Sequence, residues 1–70
     1  MKAEKIILGI DPGTNLMGYG VLRVIDNHAE AVALGVIDLH KVSDTYLKLG
    51  HILERVSGVI KEYLPDEMAI

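Results

Sequence analysis

The chain opens on an unbroken apolar run, Ile6-Ile7-Leu8-Gly9-Ile10, closed by Asp11 and Pro12. In an extended strand Ile6, Leu8 and Ile10 fall on one face, and Ile7, Gly9 and Asp11 on the other. Apolar character on both faces marks a central strand covered on both sides. A first strand is therefore predicted over residues 5–11, ended by Pro12, which has no N–H to give to a ladder. Two more strands are predicted over 18–25 and 30–39. The polar stretch Asp26-Asn27-His28-Ala29 joins them as a hairpin loop. The three form a meander running up, down and up.

Beyond residue 43 the period changes from two to between three and four. Leu49, Ile52, Leu53, Val56, Val59, Ile60 and Tyr63 make one stripe, which predicts a helix over 44–64 with that stripe against the sheet. Ser43 or Asp44 is a ready N-cap, and Pro65 forbids continuation. Gly50 and Gly58 each cost up to about 1 kcal/mol against alanine inside a helix; close approach of helix to sheet would account for them. A helix that leads from the third strand to a following one is a crossover. The next strand, beginning at Met68-Ala69-Ile70, then runs parallel to strands one and three.

Composition narrows the picture. Seventy residues allow one small domain. Half are apolar, yet Phe and Trp are absent, so the core is drawn from Ile, Leu and Val with a few Met and Tyr. Without cysteine there is neither a disulfide nor a thiolate metal site. The net charge of −3 argues against a nucleic-acid-binding domain, whose footprint is usually basic, unless further segments supply that charge. Neither a signal peptide nor a membrane span is present in the pattern, and a cytoplasmic protein is expected. Because an apolar segment has just begun at Ile70, residues 1–70 are expected to be the N-terminal part of a single domain, cut before its fourth strand is complete.

The chemistry centres on Asp11. A carboxylate at the tip of a buried strand needs a cation or hydrogen-bond donors, since burying a bare charge is costly. Pro12 holds the preceding residue extended. Gly13 permits a left-handed turn or the close approach of an anionic ligand, and Gly9 leaves room beside the carboxylate. Two readings stay open: an Asx-type turn in which Asp11 caps local amides, or an oxygen ligand for Mg²⁺ or Mn²⁺. Asp38 ends strand three at the same edge, but strand two intervenes. Two strand spacings make roughly 9–10 Å, too far to share an ion. A fourth strand beside the first would stand only about 4.8 Å away.

Other side chains point to less. His28, His40 and His51 share no ligand spacing. Glu30, Glu54, Glu62, Asp66 and Glu67 read as solvated charges. Lys41, Lys48, Arg55 and Lys61 are too dispersed for a DNA patch. Tyr19 is expected to pack rather than to line a groove, and Ser43 has no base beside it.

The segment Ile7-Leu8-Gly9-Ile10-Asp11-Pro12-Gly13-Thr14, followed by Gly18-Tyr19-Gly20-Val21, resembles the N-terminus of the RuvC family of Holliday-junction resolvases. The resemblance covers essentially the whole chain. It implies an α/β, ribonuclease-H-like fold: a three-stranded antiparallel meander, an amphipathic helix and the start of a fourth, parallel strand. It also implies an Mg²⁺-dependent endonuclease, a homodimer that nicks four-way junction DNA symmetrically in recombination and repair, with a branch-migration helicase as partner. Four carboxylates hold the metals in that family. Asp11 matches the first, the second would follow Ile70, and Gly13 and Thr14 would support the site. A piece with one such acid is expected to be inactive alone.

The principal alternative is an ATPase or phosphotransferase of the actin, sugar-kinase and heat-shock chaperone type, whose Gly-Thr turn cradles nucleotide phosphates. Two others are a resolvase-like ribonuclease-H protein acting on RNA, and a scaffold that kept the fold and lost its metals.

Overall fold

The computed structural model describes residues 4–70. β1 (Glu4–Asp11), β2 (Leu16–Ile25) and β3 (His28–Asp38) form an antiparallel meander. α1 (Thr45–Tyr63) then carries the chain across to β4 (Glu67–Ala69), which pairs in parallel with β1. The strand order is β3-β2-β1-β4, so β1 is central, as its apolar run requires. No helix among the described residues is long and apolar enough to cross a membrane.

The β2–β3 connection is tighter than its polar composition suggests. Ile25 pairs with His28, leaving only Asp26 and Asn27 in the turn, at φ 51° and 67°. Positive φ at both central residues is what a type I′ hairpin needs, and its twist matches that of the flanking strands. His28 and Ala29 are therefore ladder residues, not loop. Further along, Val21 pairs with Ala33 while Leu22 pairs with Ala31, so Val32 is the extra residue of a β-bulge.

The helix starts at Asp44, whose carboxylate accepts the N–H groups of Tyr46 at 2.7 Å and Leu47 at 3.2 Å. It stops at Leu64, which takes the left-handed conformation (φ 48°) and donates its N–H to the Ile60 carbonyl at 2.8 Å. Val59 is buried against Leu8 and Val21, with Val56, Ile60 and Tyr63 around them. The predicted stripe is broader than the contact. Leu53 remains 69% exposed because at 100° per residue it sits on the flank toward Tyr46 rather than under Val59; Leu49 shares the side of Val56 and Ile60 but is exposed because the core contacts of the helix lie in its C-terminal half. Gly50 and Gly58 are not explained by close packing either, since a Cβ at each would meet nothing within 4 Å.

Among the described residues the sheet is covered on one face only. Leu8 and Val21, 1% and 0% exposed, point toward the helix. The opposite face carries Ile7, Leu22, Leu34 and Val36, and Leu34 is 77% exposed. The expectation of a first strand covered on both sides is thus met on one side among the described residues. A single-covered sheet is an extended body: the radius of gyration is 13.6 Å, against about 11 Å for a compact domain of this length. Tyr19 packs on the covered side, its ring lying where a Cβ on the cross-strand Gly35 would have to be.

Three acids read as solvated charges have partners. Glu30 pairs with Arg23, and Glu67 with Lys5 at 3.2 Å. Asp66 donates its N–H to the Ile6 carbonyl and accepts the Ile6 N–H on Oδ2, both at 2.8 Å. The chain is still leaving the helix at Leu64, so no backbone carbonyl is in place to accept that N–H. The Asp66 carboxylate takes its part.

Candidate functional site

Asp11 is the last residue of β1, paired across to Gly18 of β2. Its side chain is exposed, and among the described residues no hydrogen bond or ion pair reaches its carboxylate. The turn-cap reading needs backbone donors on that carboxylate, and the structure provides none. The contrast with Asp44 is instructive, since that carboxylate does cap two amides.

What surrounds Asp11 is bare backbone. Gly9 lies two residues before it on the same face, Gly18 directly across, and Gly9 itself faces Gly20. A Cβ at Gly18 would come to 3.8 Å from the Asp11 Cβ, and one at Gly9 to 3.9 Å from the Gly20 carbonyl. Both are ordinary contacts, so packing does not demand glycine at either position. The carboxylate stands at the end of an open, mainly apolar sheet face with nothing overhanging it.

The turn after Asp11 is held from two directions. The Asn15 carbonyl accepts the Leu39 N–H at 2.7 Å, and the Thr14 carbonyl accepts Lys48 Nζ at 3.4 Å. Gly13 is not left-handed; every glycine among the described residues has φ outside the positive region. Its requirement is steric, because the Leu16 carbonyl occupies the space where a Cβ would stand. The room at Gly13 is therefore filled by the protein's own backbone rather than kept for an anionic ligand. Thr14 contributes its carbonyl to this bracing. Lys48 gave no sequence signal for that role, its contact spanning 34 positions.

Asp38 lies at the same end of the sheet with β2 between it and Asp11. It is engaged elsewhere: its Oδ1 accepts the His40 N–H at 2.9 Å and meets His40 Nδ1 at 2.8 Å. The backbone bond, then the side-chain bond, from His40 hold its carboxyl below the usual carboxylate range. His40 is thus an exposed histidine with a specific local partner. Among the described residues no group of three or more His, Cys, Asp or Glu side chains is placed to hold a metal ion. Among the described residues, Asp11 is the carboxylate left without a partner at this sheet edge.

Ile7 pairs with Glu67, Leu8 with Met68 and Gly9 with Ala69. Continued at the same step, Ile10 meets Ile70, and Asp11 meets the position after it.

The family profile described as crossover junction endodeoxyribonuclease RuvC matches residues 7–70. A protein of that description from Bacteroides fragilis is 64% identical over 67 residues, covering 96% of this chain and 36% of that protein. Similar proteins carry the same description in Porphyromonas gingivalis, at 54% identity, and in Cytophaga hutchinsonii, at 51%. Each again covers 96% of this chain, and 35% and 34% of its own length respectively. The chain thus spans about a third of the length of the curated relatives it matches.

Proposed function

The chain belongs to the RuvC family of crossover junction endodeoxyribonucleases, with its ribonuclease-H-like fold, and from that premise we propose that it serves Holliday-junction resolution. In this reading residues 1–70 form the first part of one nuclease domain. The protein recognises four-way junction DNA and hydrolyses phosphodiester bonds symmetrically in recombination and repair. Asp11 is its first catalytic carboxylate, and Gly13 and Thr14 shape the turn behind it. The observation that carries the reading is an unpartnered carboxylate, fixed at the end of the central strand within the matched segment, on a floor of glycine backbone.

A divalent cation, Mg²⁺ or Mn²⁺, is part of the proposal. When bound, such an ion supplies Lewis-acid stabilisation and an activated water for phosphodiester hydrolysis. Asp11 has the right donor chemistry, since hard cations take carboxylate oxygens. The described residues offer one such group and no cluster, so this stretch does not complete an ion site by itself. An acid at the position that the β1–β4 register sets beside Asp11 would be a second ligand, about 4.8 Å away across the ladder. What this chain does on its own is hold one carboxylate exposed, extended and unspent.

A homodimer, a branch-migration helicase as partner and a cytoplasmic location complete the proposal. Two nicks placed symmetrically on a junction call for two equivalent sites, which a two-fold dimer provides. The net charge of −3 leaves the phosphate contacts that dominate DNA affinity to other segments. The phosphotransferase alternative has no separate support, and the family match favours the nuclease.

The test is cleavage of a labelled four-way junction with Mg²⁺ by the protein at the length of its relatives. Paired symmetric nicks, abolished by Asp11→Asn with junction binding retained, are expected. Unchanged cleavage by Asp11→Asn would overturn the assignment, and residues 1–70 alone should give no nicks.

A further inference from the structure

β4 is a strand of three residues, all exposed, and its register with Ile7–Gly9, continued two steps, sets the position that faces Asp11. Side-chain contact cannot set that register strongly, because no β4 residue is buried. Nor does the connection set it locally, since Asp66 and Ile6 are 60 positions apart. What ties the two strands at their start is one residue. Asp66 binds Ile6 twice, backbone N–H to carbonyl and carboxylate to N–H, both at 2.8 Å. Beside it the Lys5–Glu67 ion pair spans the same two strands, more than half exposed on both sides and therefore weak.

We propose that Asp66 is a positioning residue: its two-point bond to Ile6 sets the register of β4 on β1 and thereby selects which residue stands beside the Asp11 carboxylate. The reciprocal bond fits only one pairing. A slip of one residue carries the carboxylate away from the Ile6 N–H. It also turns every β4 side chain to the opposite face, since side chains alternate along a strand. Ala69, now on the open face beside Gly9, would point toward the helix, and a neighbouring β4 position would be brought opposite Asp11 in place of the one set there now. Only the consequence for ion binding rests on Asp11 being a ligand. The clamp itself does not.

Residues 1–70 contain no cysteine, so register can be read in them by disulfide trapping. Ile7→Cys with Glu67→Cys reports the observed pairing, and Ile7→Cys with Met68→Cys the slipped one. With Asp66 intact, the first pair should cross-link at least about tenfold faster than the second, the ratio carried by one hydrogen bond to a charged group. Asp66→Asn keeps an acceptor for the Ile6 N–H and should keep the preference; Asp66→Leu should lose it. An undiminished preference in a folded Asp66→Leu protein overturns the proposal. Should that variant fail to fold, hydrogen exchange at the Ile6 amide decides. Protection in the wild type and in Asp66→Asn, lost in Asp66→Ala, supports the clamp, and a wild-type amide exchanging as freely as an unpaired one refutes it. Asp11→Asn should leave the cross-linking pattern unchanged. If it also leaves junction cleavage unchanged, the ion-ligand reading falls while the clamp stands.

Discussion

Leucines on the two faces of the sheet should respond very differently to the same truncation. Leu8 is 1% exposed and packs with Val21 and Val59 at the centre of the core. Leu8→Ala removes the equivalent of three methylenes at about 0.8 kcal/mol each, or ~2.4 kcal/mol. The cavity left under a rigid helix raises the cost to about 3–4 kcal/mol. Leu34 is 77% exposed on the opposite face. It has roughly a quarter of that transfer energy to lose and no cavity to leave, so Leu34→Ala should cost about 0.5 kcal/mol. A chain of this length has a total stability of about 4–10 kcal/mol at 0.05–0.15 per residue, so the first change removes a large share and the second is barely felt. Urea unfolding of residues 1–70 followed by circular dichroism reads both. At an m-value of about 1 kcal/mol per molar, Leu8→Ala should lower the midpoint by about 3 M and Leu34→Ala by about 0.5 M. Equal shifts would mean that the open face is packed in solution, and the one-sided core would then be wrong.

Asp11→Asn should change unfolding free energy by less than about 0.5 kcal/mol, as for a surface group without partners; a loss nearer the ~1 kcal/mol of a capping carboxylate would restore the turn-cap reading. Asp44→Ala should cost about 1 kcal/mol through loss of the acceptor for Tyr46 and Leu47, seen as a lower melting temperature. Gly13→Ala forces the Leu16 carbonyl aside, at about 1–3 kcal/mol, and should speed exchange of the Leu39 amide, which binds Asn15 in the same turn. Asp38 is held below its ordinary value of 3.8 by His40. Its small contribution is therefore present above that pH and lost as pH falls through the lower folded-state value. The stability difference between wild type and Asp38→Asn should shrink on acidification through this range, and one that grows would contradict the assigned sign.

Much of this fold was legible because periodicity and punctuation agree. The apolar run to Asp11, the stop at Pro12, and the helix between Asp44 and Pro65 all appear close to where the residues place them. The errors share a cause: sequence patterns report local character, not what lies opposite. Leu49 and Leu53 belong to an apolar stripe longer and wider than the core contact of the helix. Gly13 looked like a conformational glycine, and only the position of the Leu16 carbonyl shows that it is a steric one. His28 and Ala29 looked like loop because polarity hides a two-residue turn whose signal is the Asp-Asn pair. Asp11 was legible as a candidate because chain order alone puts it at a strand end. Lys48 and Asp66 were not, since their partners lie 34 and 60 positions away.

The two halves of the sheet differ in how soon they can form. The Asp26–Asn27 turn joins β2 to β3 by contacts close in sequence, whereas β4 must find β1 across the whole helix. Closing the longer loop is entropically dearer and slower, so the hairpin assembles early and the last ladder late. A short, exposed ladder is also the part that opens most readily at equilibrium. Transient release of that ladder would bare the outer edge of β1 from Ile7 to Gly9 while the hairpin and the core stayed intact.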